Sequence, residues 1–83
     1  MEQNRTNMNK KHIENIIRHE FKKTSYIVLN IDWIKYTSYP EEVITAAIIT
    51  LNVEPSWKKL YKRFSRLESK LNKKYGINLD ITY

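Results

Sequence analysis

The firmest constraint on this chain is a repeat in its last third. Trp57, Leu60, Tyr61, Phe64, Leu67, Leu71 and Tyr75 recur every three or four residues, and Gly76, which follows, is the only glycine of the 83 residues. That spacing puts the apolar side chains on one stripe of an α-helix. A glycine just past the stripe suits the left-handed conformation that closes a helix. Lys73 and Lys74 fall in the last turn, where the helix dipole favours cations. The pattern predicts a helix over 55–75, opened by Pro55 in its first turn. Such a helix needs a second apolar surface to bury its stripe.

The rest of the chain offers several. Ile13, Ile16, Ile17, Phe21 and Thr24 share one helical face, Asn9 is a suitable N-cap, and Glu14 stands four residues before Arg18. These predict a helix over 9–23. Residues 26–36 are rich in β-branched and aromatic types. There Ile27, Leu29, Ile31 and Trp33 alternate with Val28, Asn30 and Asp32, which predicts a strand. Thr37 to Pro40 reads as a turn. Ile77, Leu79, Ile81 and Tyr83 alternate with polar residues, which predicts a last strand.

Residues 41–53 fit two elements. Pro40 followed by Glu41 and Glu42 is a helix start, and Ile44, Ala47, Ile48 and Leu51 would form its inner face. The β-branched run of Val43, Ile44, Thr45, Ile48, Ile49 and Thr50 equally suits a buried central strand. The start signal is the more specific, so the expected order is α-β-α-α-β, with a two-stranded sheet packed against helices. A strand at 43–53 would give α-β-β-α-β and three strands. The fold class is α+β either way. Residues 1–8 carry no pattern and read as a disordered tail before a single domain over 9–83.

Charge is unevenly placed. The net charge is +6, and residues 1–54 contribute none of it: seven basic groups balance seven acidic ones there. Residues 55–83 hold eight basic groups and two acidic ones. Thirty residues are Asn, Ile or Lys, the usage of an AT-rich genome such as that of a low-GC bacterium or its mobile elements. That bias inflates lysine but does not remove acids, so the asymmetry points to an anionic partner. Lys59, Arg63, Arg66, Lys70 and Lys73 step by four and three opposite the apolar stripe, flanked by Lys58 and Lys62. A rigid row of cations can neutralise several phosphates and release their counterions. The plainer readings are a solvated helix back and, less well matched, a membrane-surface face.

The stretch LNVEPSWKKLYKRF at 51–64 resembles the turn and recognition helix of helix-turn-helix proteins: an apolar residue, a turn, a valine, then an apolar-basic helix. It departs from that pattern in placing Val53 four residues before Trp57 rather than five, and in carrying Asn52 at the usual glycine. The resemblance implies contact between the 55–75 helix and DNA. A third cluster, Trp33, Tyr36 and Tyr39 beside Lys35, suits base stacking or a protein–protein contact, or simply a core tryptophan with tyrosines at its edge.

Enzymatic signatures are absent from the sequence. There is no cysteine, no glycine-rich phosphate loop, no HExxH and no nucleophile elbow. His12 and His19 lie seven residues apart, about 10 Å along a helix, too far to share a metal without further ligands. No cofactor or metal is expected. The N-terminal residues are hydrophilic and no apolar run approaches a membrane span, so a cytoplasmic protein without a membrane partner is expected. The leading function is non-enzymatic nucleic-acid binding, DNA before RNA, by Lys58, Lys59, Lys62, Arg63, Arg66, Lys70 and Lys73. The alternative is a protein–protein module, such as a phage-type inhibitor or adaptor, that covers an acidic or nucleic-acid-binding surface. A homo-oligomer that buries 57–75 is also compatible with the sequence.

Overall fold

A computed structural model describes residues 9–38 and 41–83. Helix α1 (Lys10–Phe21) is followed by strands β1 (Val28–Ser38) and β2 (Glu41–Leu51), helix α2 (Trp57–Tyr75) and strand β3 (Asn78–Thr82). The fold is α+β: two helices and a three-stranded mixed sheet. The sheet order is β1-β2-β3, with β1 and β2 antiparallel and β2 and β3 parallel. A parallel pair needs a crossover connection, and α2 supplies it.

The favoured helix at 41–53 is therefore incorrect. Residues 41–51 form the central strand, hydrogen-bonded on both sides. Its β-branched residues gain two ladders of backbone bonds and cross-strand packing, and these outweigh a start signal worth a fraction of a kcal/mol at one helix end. Glu41 and Glu42 pair with Ser38 and Thr37 across the hairpin. Tyr39 and Pro40 lie outside the described residues, as does the proposed tail over 1–8.

The sheet is read most clearly by rows. Ile31, Ile49 and Ile81 stand side by side across the three strands, as do Trp33, Ala47 and Leu79. These rows face the helices: Ile31, Ala47, Ile49 and Leu79 are buried. The small Ala47 leaves room for the indole of Trp33, whose Nε1 donates to Glu14 Oε2 of α1 at 3.1 Å. From the helices, Ile13, Ile17 and Phe21 of α1 and Leu60, Leu67 and Leu71 of α2 close the core. The opposite sheet face carries Asn30, Asp32 and Ile34 on β1 and Asn78, Asp80 and Thr82 on β3, all exposed.

One strand face differs from the simple alternation. Ile27 and Leu29 are each 60% exposed, while Val28 packs against the core. The cause is a register shift between Val28 and Asn30, which leaves Leu29 as an extra residue opposite β2. One extra residue flips the parity of everything before it. A second shift leaves Thr45 of β2 unpaired, and its hydroxyl turns to the Ile34 carbonyl at 3.4 Å.

The helix ends follow local rules. Asn9 caps α1 through its side-chain oxygen, which accepts from the His12 N–H at 3.0 Å. Helix α2 begins at Trp57 rather than at Pro55, which is buried. Gly76 has φ 72°, and its N–H donates to the Asn72 carbonyl at 2.8 Å. A side chain there would cost about 1–2 kcal/mol, which accounts for the chain's single glycine.

Candidate nucleic-acid interface

The joint before α2 connects a strand to a helix, so no first helix precedes it. The resemblance to a helix-turn-helix does not extend to the fold.

At 3.6 residues per turn, residues four apart form a ridge that winds slowly around a helix. Lys58, Lys62, Arg66 and Lys70 form one such ridge, and all are exposed. Lys73, also exposed, falls beside Lys62 and Arg66 on the same arc. The five cations span an arc of about 120° and a length of about 22 Å. Beside them runs a second ridge, Trp57, Tyr61, Ser65 and Ser69, and between the two lies a shallow groove of about 490 Å³. It is lined by Tyr61, Ser65 and Ser69 on one side and by Lys62, Arg66, Lys70 and Lys73 on the other. Hydroxyl donors thus stand alongside ammonium and guanidinium donors, with no carboxylate among them.

The acids that helices ordinarily set beside their lysines are placed elsewhere. Among the described residues, no carboxylate comes within ion-pair distance of Lys58, Lys59, Lys62, Arg66, Lys70 or Lys73. Glu68, the only acid in α2, turns to the sheet, where its Oε2 accepts from the Leu79 N–H at 3.1 Å. On β3 the neighbouring Ile81 N–H is taken by Asp80 at 3.2 Å. These two carboxylates satisfy donors of an edge strand. Glu68 is therefore explained by the fold and does not neutralise the ridge.

Arg63 has a different position from the one its spacing suggests. Its Nη1 meets Glu20 Oε2 of α1 at 2.7 Å, with the two side chains 37% and 26% exposed. Lys23 lies 3.8 Å from the other oxygen of Glu20. Arg63 ties α2 to α1 on one flank, and Lys59, exposed, stands one turn before it. The row 59-63-66-70-73 accordingly loses only one member: Lys59, which falls between Arg66 and Lys70 in helical angle, joins Arg66, Lys70, Lys73, Lys58 and Lys62 on the open arc, while Arg63 is occupied. Replacing Arg63 by alanine is expected to lower unfolding free energy by about 1 kcal/mol, since the pair is charge-assisted but partly solvated. Glu20→Ala should do the same, and the double variant should be no worse than either single one. A urea-unfolding cycle checks this, and additive losses would show that the contact contributes nothing.

The third cluster is separated by the strand. Trp33 is half-buried and bonded to Glu14 on the helix side. Tyr36, three residues on, falls on the opposite face and is 62% exposed. Tyr39 lies outside the described residues. Trp33 and Tyr36 therefore cannot clasp one base between them.

Three features escaped the sequence reading. Tyr61, at 63% exposure, and Trp57, at 43%, were placed in the buried stripe but stand largely open on its edge. Trp57 keeps an edge-to-face contact with Phe64 at 5.4 Å. Ser65 and Ser69 line the groove, and their four-residue step from Tyr61 is visible in the chain. Elsewhere, the Tyr83 hydroxyl bonds to Glu54, whose hydrogen bond and charge push the phenol above its ordinary pKa of 10.0. His12 and His19 are exposed on α1, and the described residues hold no group of three potential ligands for a metal ion. Among the described residues no helix is long and apolar enough to cross a membrane.

Comparison of the chain with protein-family models, with curated proteins and with solved structures finds no match.

Proposed function

We propose that this protein binds nucleic acid without catalysing a reaction, through the outward arc of α2. One observation carries the reading: Lys58, Lys62, Arg66, Lys70 and Lys73 form a continuous exposed arc, and among the described residues no carboxylate stands within ion-pair distance of any of them. Glu20, which shares a small cavity with Arg66 and Lys70, is paired with Arg63 instead. Like charges at four-residue spacing repel one another, which costs a few tenths of a kcal/mol per pair. A polyanion removes that cost and releases counterions on binding. Ser65 and Ser69 add neutral donors to the same groove, and hydroxyls are common phosphate contacts. Arg66, the one arginine of the arc, supplies a planar fork that suits a phosphate bidentately.

The ridge tracks a backbone; it is not shaped to enter a groove. Its flanks are tied to α1 by Arg63 and to β3 by Glu68. Two helices side by side make a layer roughly 20 Å wide, whereas the major groove is about 12 Å wide. Affinity should therefore come from phosphates and depend weakly on sequence. Titrating a labelled oligonucleotide with the protein at low and at raised salt tests the reading. Binding at low salt that weakens steeply as salt rises is expected, and absence of binding at low salt overturns it. In that event an acidic protein surface becomes the partner that the same cations would fit.

A further inference from the structure

We infer that the ligand of this groove is an unpaired strand rather than a duplex, with Tyr61 stacking on a base, Trp57 one turn away at the groove's end, while the cation ridge holds the phosphates. The inference rests on the nucleic-acid reading above and specifies it. The observation behind it is the neighbour of the charge row. Trp57 and Tyr61 sit one turn apart on the ridge next to Lys58 and Lys62, 43% and 63% exposed. Tyr61 lines the groove together with Lys62 and Arg66. A large ring left open beside unneutralised cations gains little from a duplex, whose base faces are already stacked on one another. An unpaired base has a free face, and stacking on an aromatic ring is worth about 1–3 kcal/mol per base.

The order of the side chains along α2 fits one strand. Aromatic rings occupy the N-terminal end of the second ridge and Ser65 and Ser69 its C-terminal end. The cations run beside both. A strand laid along the groove would keep its phosphates on the Lys62–Lys73 side throughout. Its bases would turn to Tyr61 at the N-terminal end, while Ser65 and Ser69 donate to the phosphates further along. Nothing in this arrangement requires a particular sequence, because every base has a face to stack.

The test compares a labelled single-stranded dodecamer, as DNA and as RNA, with the duplex of the same sequence at low salt. The expected result is at least tenfold tighter binding of a single strand than of the duplex. The tighter of the two single strands identifies the natural ligand. Tyr61→Ala should weaken single-strand binding by about 5- to 100-fold and leave duplex binding within twofold. Tyr61→Phe should retain both. The side chain is exposed, so neither substitution opens a cavity, and thermal unfolding verifies that the variants fold. Trp57 emission should be quenched by the single strand, read in a Trp33→Phe background that leaves one reporter. A duplex bound as tightly as either single strand, or Tyr61→Ala indistinguishable from the parent, overturns the inference and leaves phosphate binding intact. Loss of all binding in the parent protein removes both.

Discussion

Reversing two charges of the ridge, Lys62→Glu with Arg66→Glu, is expected to weaken nucleic-acid binding on the order of 100-fold at about 50 mM salt. Each cation that leaves a phosphate forfeits the counterions it released, and each glutamate adds repulsion in its place. Both residues are exposed and neither has an ionic partner among the described residues, so the fold should tolerate the change. Relief of repulsion with Lys58 and Lys70 should even raise the melting temperature slightly. Net charge alone also draws a +6 protein to a polyanion, so a control of equal charge is required. Lys11→Glu with Lys22→Glu makes the same total change on exposed residues in and just after α1. That control should cost no more than about threefold, because neither residue lines the groove and exposed charges are screened over a Debye length of roughly 14 Å at this salt. Equal losses in the two variants would mean that the molecule attracts anions as a whole and that α2 has no special part.

The second large effect concerns the central strand. Ile49→Ala is expected to lower unfolding free energy by about 2–5 kcal/mol, the usual cost of cutting a buried Ile back to Ala. Ile49 is fully buried, between Ile31 and Ile81 in its row. A domain of this length has only roughly 4–12 kcal/mol in total, so the melting temperature should fall by about 10 °C or more. The adjacent Ile48 points to the open face between Asp32 and Asp80 and is only partly buried. Ile48→Ala should cost less than about 1.5 kcal/mol. A helix over the same residues inverts this order, since its inner face would contain Ile48 and not Ile49. Comparing the two melting temperatures therefore decides between strand and helix without a new structure.

That pair also shows where the sequence was informative. The 57–75 helix, its closing glycine and the Asn9 cap were legible because each depends on neighbours within four residues. So were β1 and β3, from their alternation and β-branched content. Residues 41–51 were not, because a strand with partners on both sides derives its stability from residues distant in the chain, those of β3 being 32 positions away. The exposure of Ile27 and Leu29 was hidden for a related reason: nothing local marks Leu29 as the extra residue of a bulge. Arg63 illustrates the limit for the site. Its spacing places it among the ridge cations, yet its partner Glu20 is 43 residues distant in the chain. Only the fold, which sets α1 and α2 over one core, brings the two together. Glu68 looked like an interruption of a basic face for the same reason, because Leu79 is what it serves. The ridge Lys58–Lys62–Arg66–Lys70 needed no such information. Its period of four is written in the chain, whereas the row 59-63-66-70-73 mixes ridge cations with the occupied Arg63.

The most direct measurement of the central claim is the slope of log K against log salt concentration for the parent protein, between about 50 and 200 mM. Four groove cations, Lys62, Arg66, Lys70 and Lys73, predict a slope of about −2.8 for a single strand, and of no more than about −3.6 for a duplex, from roughly 0.7 to 0.9 counterions released per phosphate contact. Removing two of them in Lys62→Ala with Arg66→Ala should bring the slope to about half that value. Binding that is undetectable at about 50 mM salt, or a slope that the paired alanine substitutions leave unchanged, would contradict the assignment of α2 as the nucleic-acid interface.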